Sequence, residues 1–74
     1  MDELADYLDL VAEVWRDDPT QREGQAYFNA ARMKWPGLVD DIIGTEYDPF
    51  TLDRHLPAFL EWLDQAVAAR RRPA

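Results

Sequence analysis

Seventy-four residues leave room for a single domain, because a core of this size is already marginal and dividing it would leave neither half enough apolar area to offset chain entropy. With 47% hydrophobic residues, among them three each of Trp, Tyr and Phe, the chain carries too much large apolar surface for a disordered segment, and without cysteine it can hold neither a disulfide nor a thiolate metal site. A formal charge of −7 disfavours direct binding to nucleic acid or anionic lipid.

That charge is uneven. Arg70, Arg71 and Arg72 leave five basic against fifteen acidic residues over positions 1–69, a body of −10. The expected organisation is a helical domain over 1–69 and a basic, solubilising tail over 70–74. No apolar run approaches the roughly 18 residues a membrane span needs. Met1-Asp2-Glu3 opens with acids where a signal peptide carries basic residues. A soluble, unprocessed, cytoplasmic protein with no membrane segment is expected.

From Asp2 to Asp17, Leu4, Leu8, Val11 and Trp15 recur at the spacing of one helical face, with Tyr7 and Val14 widening it and Asp6, Glu13 and Asp17 opposite. Asp2 and Glu3 supply a cap and negative charge at the positive end of the helix dipole. Leu10 lies off this stripe and is expected to be partly exposed. Asp18-Pro19 stops the helix, because a residue before proline avoids the helical region.

Thr20-Gln21-Arg22-Glu23 reads as a capping box that opens a second helix. Gly24, Phe28, Ala31 and Trp35 fall on one face, and Ala26, Ala30 and Met33 on another nearly opposite, so this helix should be covered on more than one side. Gly24 costs about 1 kcal/mol relative to Ala inside a helix, which points to another backbone approaching closely. Trp35-Pro36-Gly37 ends the helix, and Pro36 can open a short one of about two turns with Leu38, Val39, Ile42 and Ile43 as its stripe and Asp40 and Asp41 outward. Gly44 is its left-handed stop. After the segment 44–50, residues 51–54 suit a brief turn. The last helix carries Leu56, Phe59, Leu60, Leu63 and Val67 on one face, Pro57 in its first turn and Arg70 to Arg72 near its negative end. The pattern predicts an all-α fold, a compact bundle of three longer helices plus one short helix and an ordered loop at 44–50.

Two segments are the most distinctive, Arg22-Glu23-Gly24-Gln25 with Asn29, and Gly44-Thr45-Glu46-Tyr47-Asp48-Pro49-Phe50. In them the sequence resembles a set of small bacterial and phage proteins of uncharacterised biochemistry, which share an Arg-x-Gly-Gln helix start, an Asn four residues on, and an Asp-Pro-Phe turn before a last helix. The resemblance spans roughly residues 15 to 63 and implies no activity. Gln25 and Asn29 stand one turn apart, where two amides can donate to and accept from an irregular backbone, so they are expected to hold the 44–50 loop. The polar strip of Arg22, Gln25 and Asn29, with Asp48, is alternatively ligand-facing. Asp48 before Pro49 suits a cap better than a catalytic acid.

The residues of catalysis are sparse. His55 is the only histidine, serine is absent, and Thr20, Thr45 and Thr51 are the only hydroxyls outside tyrosine. Asp17-Asp18 and Asp40-Asp41 diverge on a helix and lack the spaced oxygens and glycine of a calcium loop. No catalytic, metal or cofactor site is expected. The expected function is a small acidic interaction module, an inhibitor, adaptor or regulator in the manner of phage proteins, acting on a protein partner or as a homodimer. Tyr47, Phe50, Trp62 and Leu10 are its candidate contacts. A second expectation is a nucleic-acid mimic in which the acids of the first helix, with Asp40, Asp41, Glu46 and Asp48, imitate phosphates and block a basic groove. A third is a small-ligand protein using the Arg22, Gln25 and Asn29 strip. The 44–50 segment is read as a joint between the short and last helices, with Phe50 plugging the core.

Overall fold

A computed structural model describes residues 3–71. The expected Asp2 cap and the tail from Arg72 onward lie outside the described residues. Three α-helices, α1 (Glu3–Asp17), α2 (Glu23–Lys34) and α3 (Leu56–Arg71), are joined by two 3₁₀ turns at Leu38–Ile42 and Asp53–His55, and no strand occurs among the described residues. The all-α expectation is met.

The face of α1 that is covered is centred on Tyr7 and Val11, both buried. Tyr7 fixes that rotation, because its hydroxyl donates to the Tyr27 carbonyl at 2.6 Å and its ring meets Trp35 at 5.4 Å and Tyr27 edge-on at 6.2 Å. Taking about 100° per residue, Leu8 then lies some 80° round from the centre, as far as Leu10 does on the other side. It is 49% exposed, against the expected stripe, while Leu10 packs partly buried against the core. Tyr7 pairs with Tyr27 and Val14 with Gln21, so the partners run in opposite senses and α1 and α2 lie antiparallel.

The connection between them differs from the expected capping box. Thr20 turns back to Asp18 through both its hydroxyl, at 2.5 Å, and its amide, at 3.2 Å. The helix begins later, with Arg22 as N-cap and the Gln25 side chain accepting from the Arg22 amide at 2.9 Å. Glutamine three residues past the cap does what Glu23 was expected to do. Gly24, Ala26, Phe28, Ala30 and Ala31 are buried, so α2 is covered on two faces. Met33, expected on the second face, is 63% exposed, although Ala31 in the same last turn is buried.

Pro36 does not open a helix. The chain turns through Gly37 at φ 87° and runs five residues of 3₁₀ helix to a second left-handed glycine, Gly44 at φ 80°. So short a span between two reversals favours the tighter helix over two α turns. Val39 and Ile42 are buried and Asp40 and Asp41 exposed, whereas Ile43 has turned outward, 55% exposed. On α3 the anticipated face is covered, with Leu56, Phe59, Leu63 and Val67 buried and Leu60 partly so. The radius of gyration, 11.9 Å, is near the value of about 11 Å for a compact domain of this length, so the three helices share one core.

Candidate functional site

The 43–52 segment between the two 3₁₀ turns lies outside the helices, so its amides and carbonyls need partners other than a helical ladder. Asp48 is the centre of the solution. It is 2% exposed, and its two carboxylate oxygens accept from Gly44 N at 2.8 Å and Phe50 N at 2.9 Å. Its own carbonyl accepts from the Thr51 hydroxyl at 3.3 Å and meets His55 Nδ1 at 3.0 Å. A carbonyl can only accept, so Nδ1 is the donor in that last bond. Thr45 tightens the entry: its hydroxyl donates to Ile42 O at 2.7 Å and accepts from Tyr47 N at 3.2 Å. Asp48 is thus a cap, as its place before Pro49 suggested, and His55 bonds the Asp48 carbonyl from just before α3.

Of the polar strip, Arg22 alone reaches this joint, donating to the carbonyls of Phe50 and, at 3.4 Å, Thr51. The expected tether through Gln25 and Asn29 does not form. Gln25 is used at the helix cap, and Asn29 donates to Gln21 Oε1 at 3.0 Å, in a network where Gln21 Nε2 donates to Val14 O at 3.0 Å and the Trp15 indole to Gln21 O at 3.1 Å. These amides hold α1 to α2 instead. Arg22 and Asp48 meet at the Phe50 backbone, from its carbonyl and its amide, and Gln25 bonds the Arg22 amide, whereas Asn29 is turned away toward Gln21, so the four side chains do not line one site.

The close backbone approach expected at Gly24 is present. A Cβ there would sit 2.2 Å from the Pro49 carbonyl oxygen and 2.8 Å from Asp53 Oδ1, the atom that accepts from Gly24 N at 3.0 Å. Sequence reading missed the Arg22 and Asp53 contacts because both partners lie 28 or 29 residues away. The joint is therefore docked on the first turn of α2.

What it presents outward is apolar. Ile43, Tyr47, Phe50 and Leu52 are 55%, 37%, 40% and 41% exposed. Phe50 does not plug the core as expected; it lies over Phe28, edge to face, with ring centroids 5.5 Å apart. Two hollows flank the joint. One, of about 230 Å³, is bounded by Phe28, Arg32, Ile43, Asp48, Phe50 and Thr51. The other, of about 200 Å³, lies between Tyr47 and the Ala58, Glu61, Trp62 and Gln65 face of α3. Both are smaller than sites for drug-sized ligands, which start near 300 Å³. Tyr47 and Trp62, picked separately from the sequence, line one hollow and Phe50 the other, while Leu10 packs against the core.

Among the described residues no group of three or more His, Cys, Asp or Glu side chains could hold a metal, and no helix is long and apolar enough to cross a membrane. No buried side-chain nitrogen or oxygen lacks a partner among them. Among the described residues the one strongly displaced titration is Tyr7, whose hydroxyl is held well above its ordinary value by burial and, secondarily, by Tyr27. That group is in the core, away from both hollows. Comparison with known proteins gives no match to any family model, curated protein or solved structure.

Proposed function

We propose that this chain is a protein-interaction module that acts by occupancy, with the 43–52 joint and the adjoining Trp62 as its contact face. One observation carries the reading: four of the six large apolar side chains exposed among the described residues fall within these ten positions. They are mounted on backbone fixed by Asp48, Arg22 and the Gly24 contact. Apolar side chains concentrated on a pre-ordered segment suit binding, because little entropy is lost on association. Inhibitor, adaptor or regulator are all roles that such a face could fill without chemistry of its own.

The test is capture of a partner from the native source by wild type and by the Tyr47→Ala/Phe50→Ala variant, with circular dichroism as the folding control. Central aromatic contacts cost about 2 kcal/mol or more when truncated, a loss of roughly thirtyfold in affinity. A partner retained equally by both proteins would remove the joint from the interface. Return of no partner, together with a monomeric sedimentation profile, would count against the reading as a whole.

The acidic excess favours a second reading, a nucleic-acid mimic. Its phosphate-like set is Asp40, Asp41 and Glu46, all exposed, together with α1; Asp48 is withdrawn from it, being buried and bonded to two amides. Competition with DNA for a basic nuclease or polymerase, fading steeply with salt, is its signature.

A further inference from the structure

We infer that the hollow between Tyr47 and α3 receives an arginine side chain of the protein partner. The inference rests on the interaction reading above and specifies what the partner must present. Ala58, Glu61, Trp62 and Gln65 recur at the three- and four-residue spacing of one helical face, so α3 supplies a continuous wall with the small Ala58 leaving space beside the indole. Trp62 is braced from below by Phe59, at 6.0 Å between ring centroids. Tyr47 closes the opposite side, its amide held by Thr45. The lining therefore combines two aromatic rings, one carboxylate and one amide. At about 200 Å³ it fits a side-chain head group.

The carboxylate decides the charge of the occupant. Asp48, at the other hollow, spends both oxygens on backbone amides, and Arg32 sits on that rim, so the carboxylate on the Phe28 and Phe50 side is already engaged and a cation already stands beside it. Glu61 and Gln65 make no side-chain hydrogen bond or ion pair to other described residues, and Glu61 is exposed at the mouth. A planar guanidinium stacks on an indole or phenol face while its edge donates to a carboxylate and an amide carbonyl, a combination that an ammonium reproduces less well. The chain's charge of −7 adds a long-range attraction for a basic partner.

The experiment is a titration of the full chain, followed by two-dimensional NMR at the Trp62 indole N–H. Three blocked glycine-flanked pentapeptides are used, with arginine, lysine or citrulline at the centre. Expected is a saturable Trp62 shift with the arginine peptide, a weaker one with lysine and the weakest with citrulline, which keeps the shape of arginine but not its charge. Glu61→Gln, a surface change that should leave the fold intact, should weaken arginine binding about threefold to fivefold, as an exposed ion pair would. Equal shifts from citrulline and arginine would overturn the cation assignment while leaving the contact face in place. Lysine binding tighter than arginine, or no shift with any peptide, would also overturn it. A dimer in peptide-free sedimentation that dissociates with Glu61→Gln would assign the hollow to a second copy, whose α3 ends in arginines, and would likewise overturn the proposal. Failure to capture any partner would strike the interaction reading, while the arginine preference of the hollow is read separately, since peptide binding is measured without a partner.

Discussion

At the scale of single residues, Gly24 and Asp48 together explain why the joint is rigid. Alanine at an ordinary helix interior position stabilises by up to about 1 kcal/mol over glycine. At position 24 the sign should reverse, because the added Cβ meets the Pro49 backbone carbonyl oxygen at 2.2 Å and Asp53 Oδ1, the acceptor of the Gly24 amide, at 2.8 Å, so the joint must shift to admit it. Overpacking of this kind costs about 1–3 kcal/mol, so Gly24→Ala is expected to lower the thermal midpoint, by roughly 4–8 °C for each kcal/mol in a domain of this size. A raised midpoint would mean the joint floats free of α2. Asp48→Ala removes both acceptors of buried amides and should cost at least about 2 kcal/mol in urea unfolding. Asp48→Asn keeps one carbonyl oxygen but turns an NH₂ donor toward the other amide, so it should recover less than half of that loss.

At the scale of elements, α1 is positioned by one buried hydroxyl. The Tyr7 hydroxyl ionises with difficulty in the folded chain, whereas in the unfolded chain it ionises around its ordinary value of 10.0. The folded state therefore holds a proton that the unfolded state releases above that pH. Stability is fully present below pH 10 and declines as pH rises beyond it, by up to about 1.4 kcal/mol per pH unit. Tyr7→Phe should lower stability near neutral pH, through loss of the 2.6 Å bond to Tyr27 O, and flatten the alkaline decline. Urea titrations at intervals from pH 8 to roughly pH 11 would show it, and an unchanged slope in the variant would assign the alkaline loss to other groups. The same residue marks how far the sequence could be read. The helical periods of α1 and α3, the breaks at Pro19 and Gly44, and the need for a neighbour at Gly24 are local signals and were legible. The rotation of α1 was not, since it depends on a tertiary hydrogen bond across 20 residues. Nor was the tether of the joint: Gln25 and Asn29 had suitable chemistry, but Arg22, Asp48 and Asp53 were placed nearer. The Tyr47 and Trp62 hollow joins residues 15 apart whose shared exposure only the folded path reveals.

At the scale of the whole molecule, fifteen acids against eight bases impose a self-repulsion that the small core must overcome. Screening should relieve it, because the Debye length falls from about 20–30 Å at low ionic strength to a few ångströms near 0.5 M. Raising sodium chloride from about 0.02 M to about 0.5 M is therefore expected to lift the thermal midpoint by about 2–6 °C, equivalent to a few tenths to one kcal/mol. Binding of the arginine peptide at Glu61 should move the opposite way, since the same screening weakens an exposed ion pair and removes the long-range attraction. The opposed signs separate the two roles of the charge. Specific exclusion of salt from apolar surface would strengthen both the fold and an uncharged contact, so repeating both measurements with sodium sulfate sets the scale of that contribution. A midpoint that falls with sodium chloride would show that attractive pairs, rather than net repulsion, dominate the surface, and peptide affinity unaffected by salt would place the guanidinium away from Glu61.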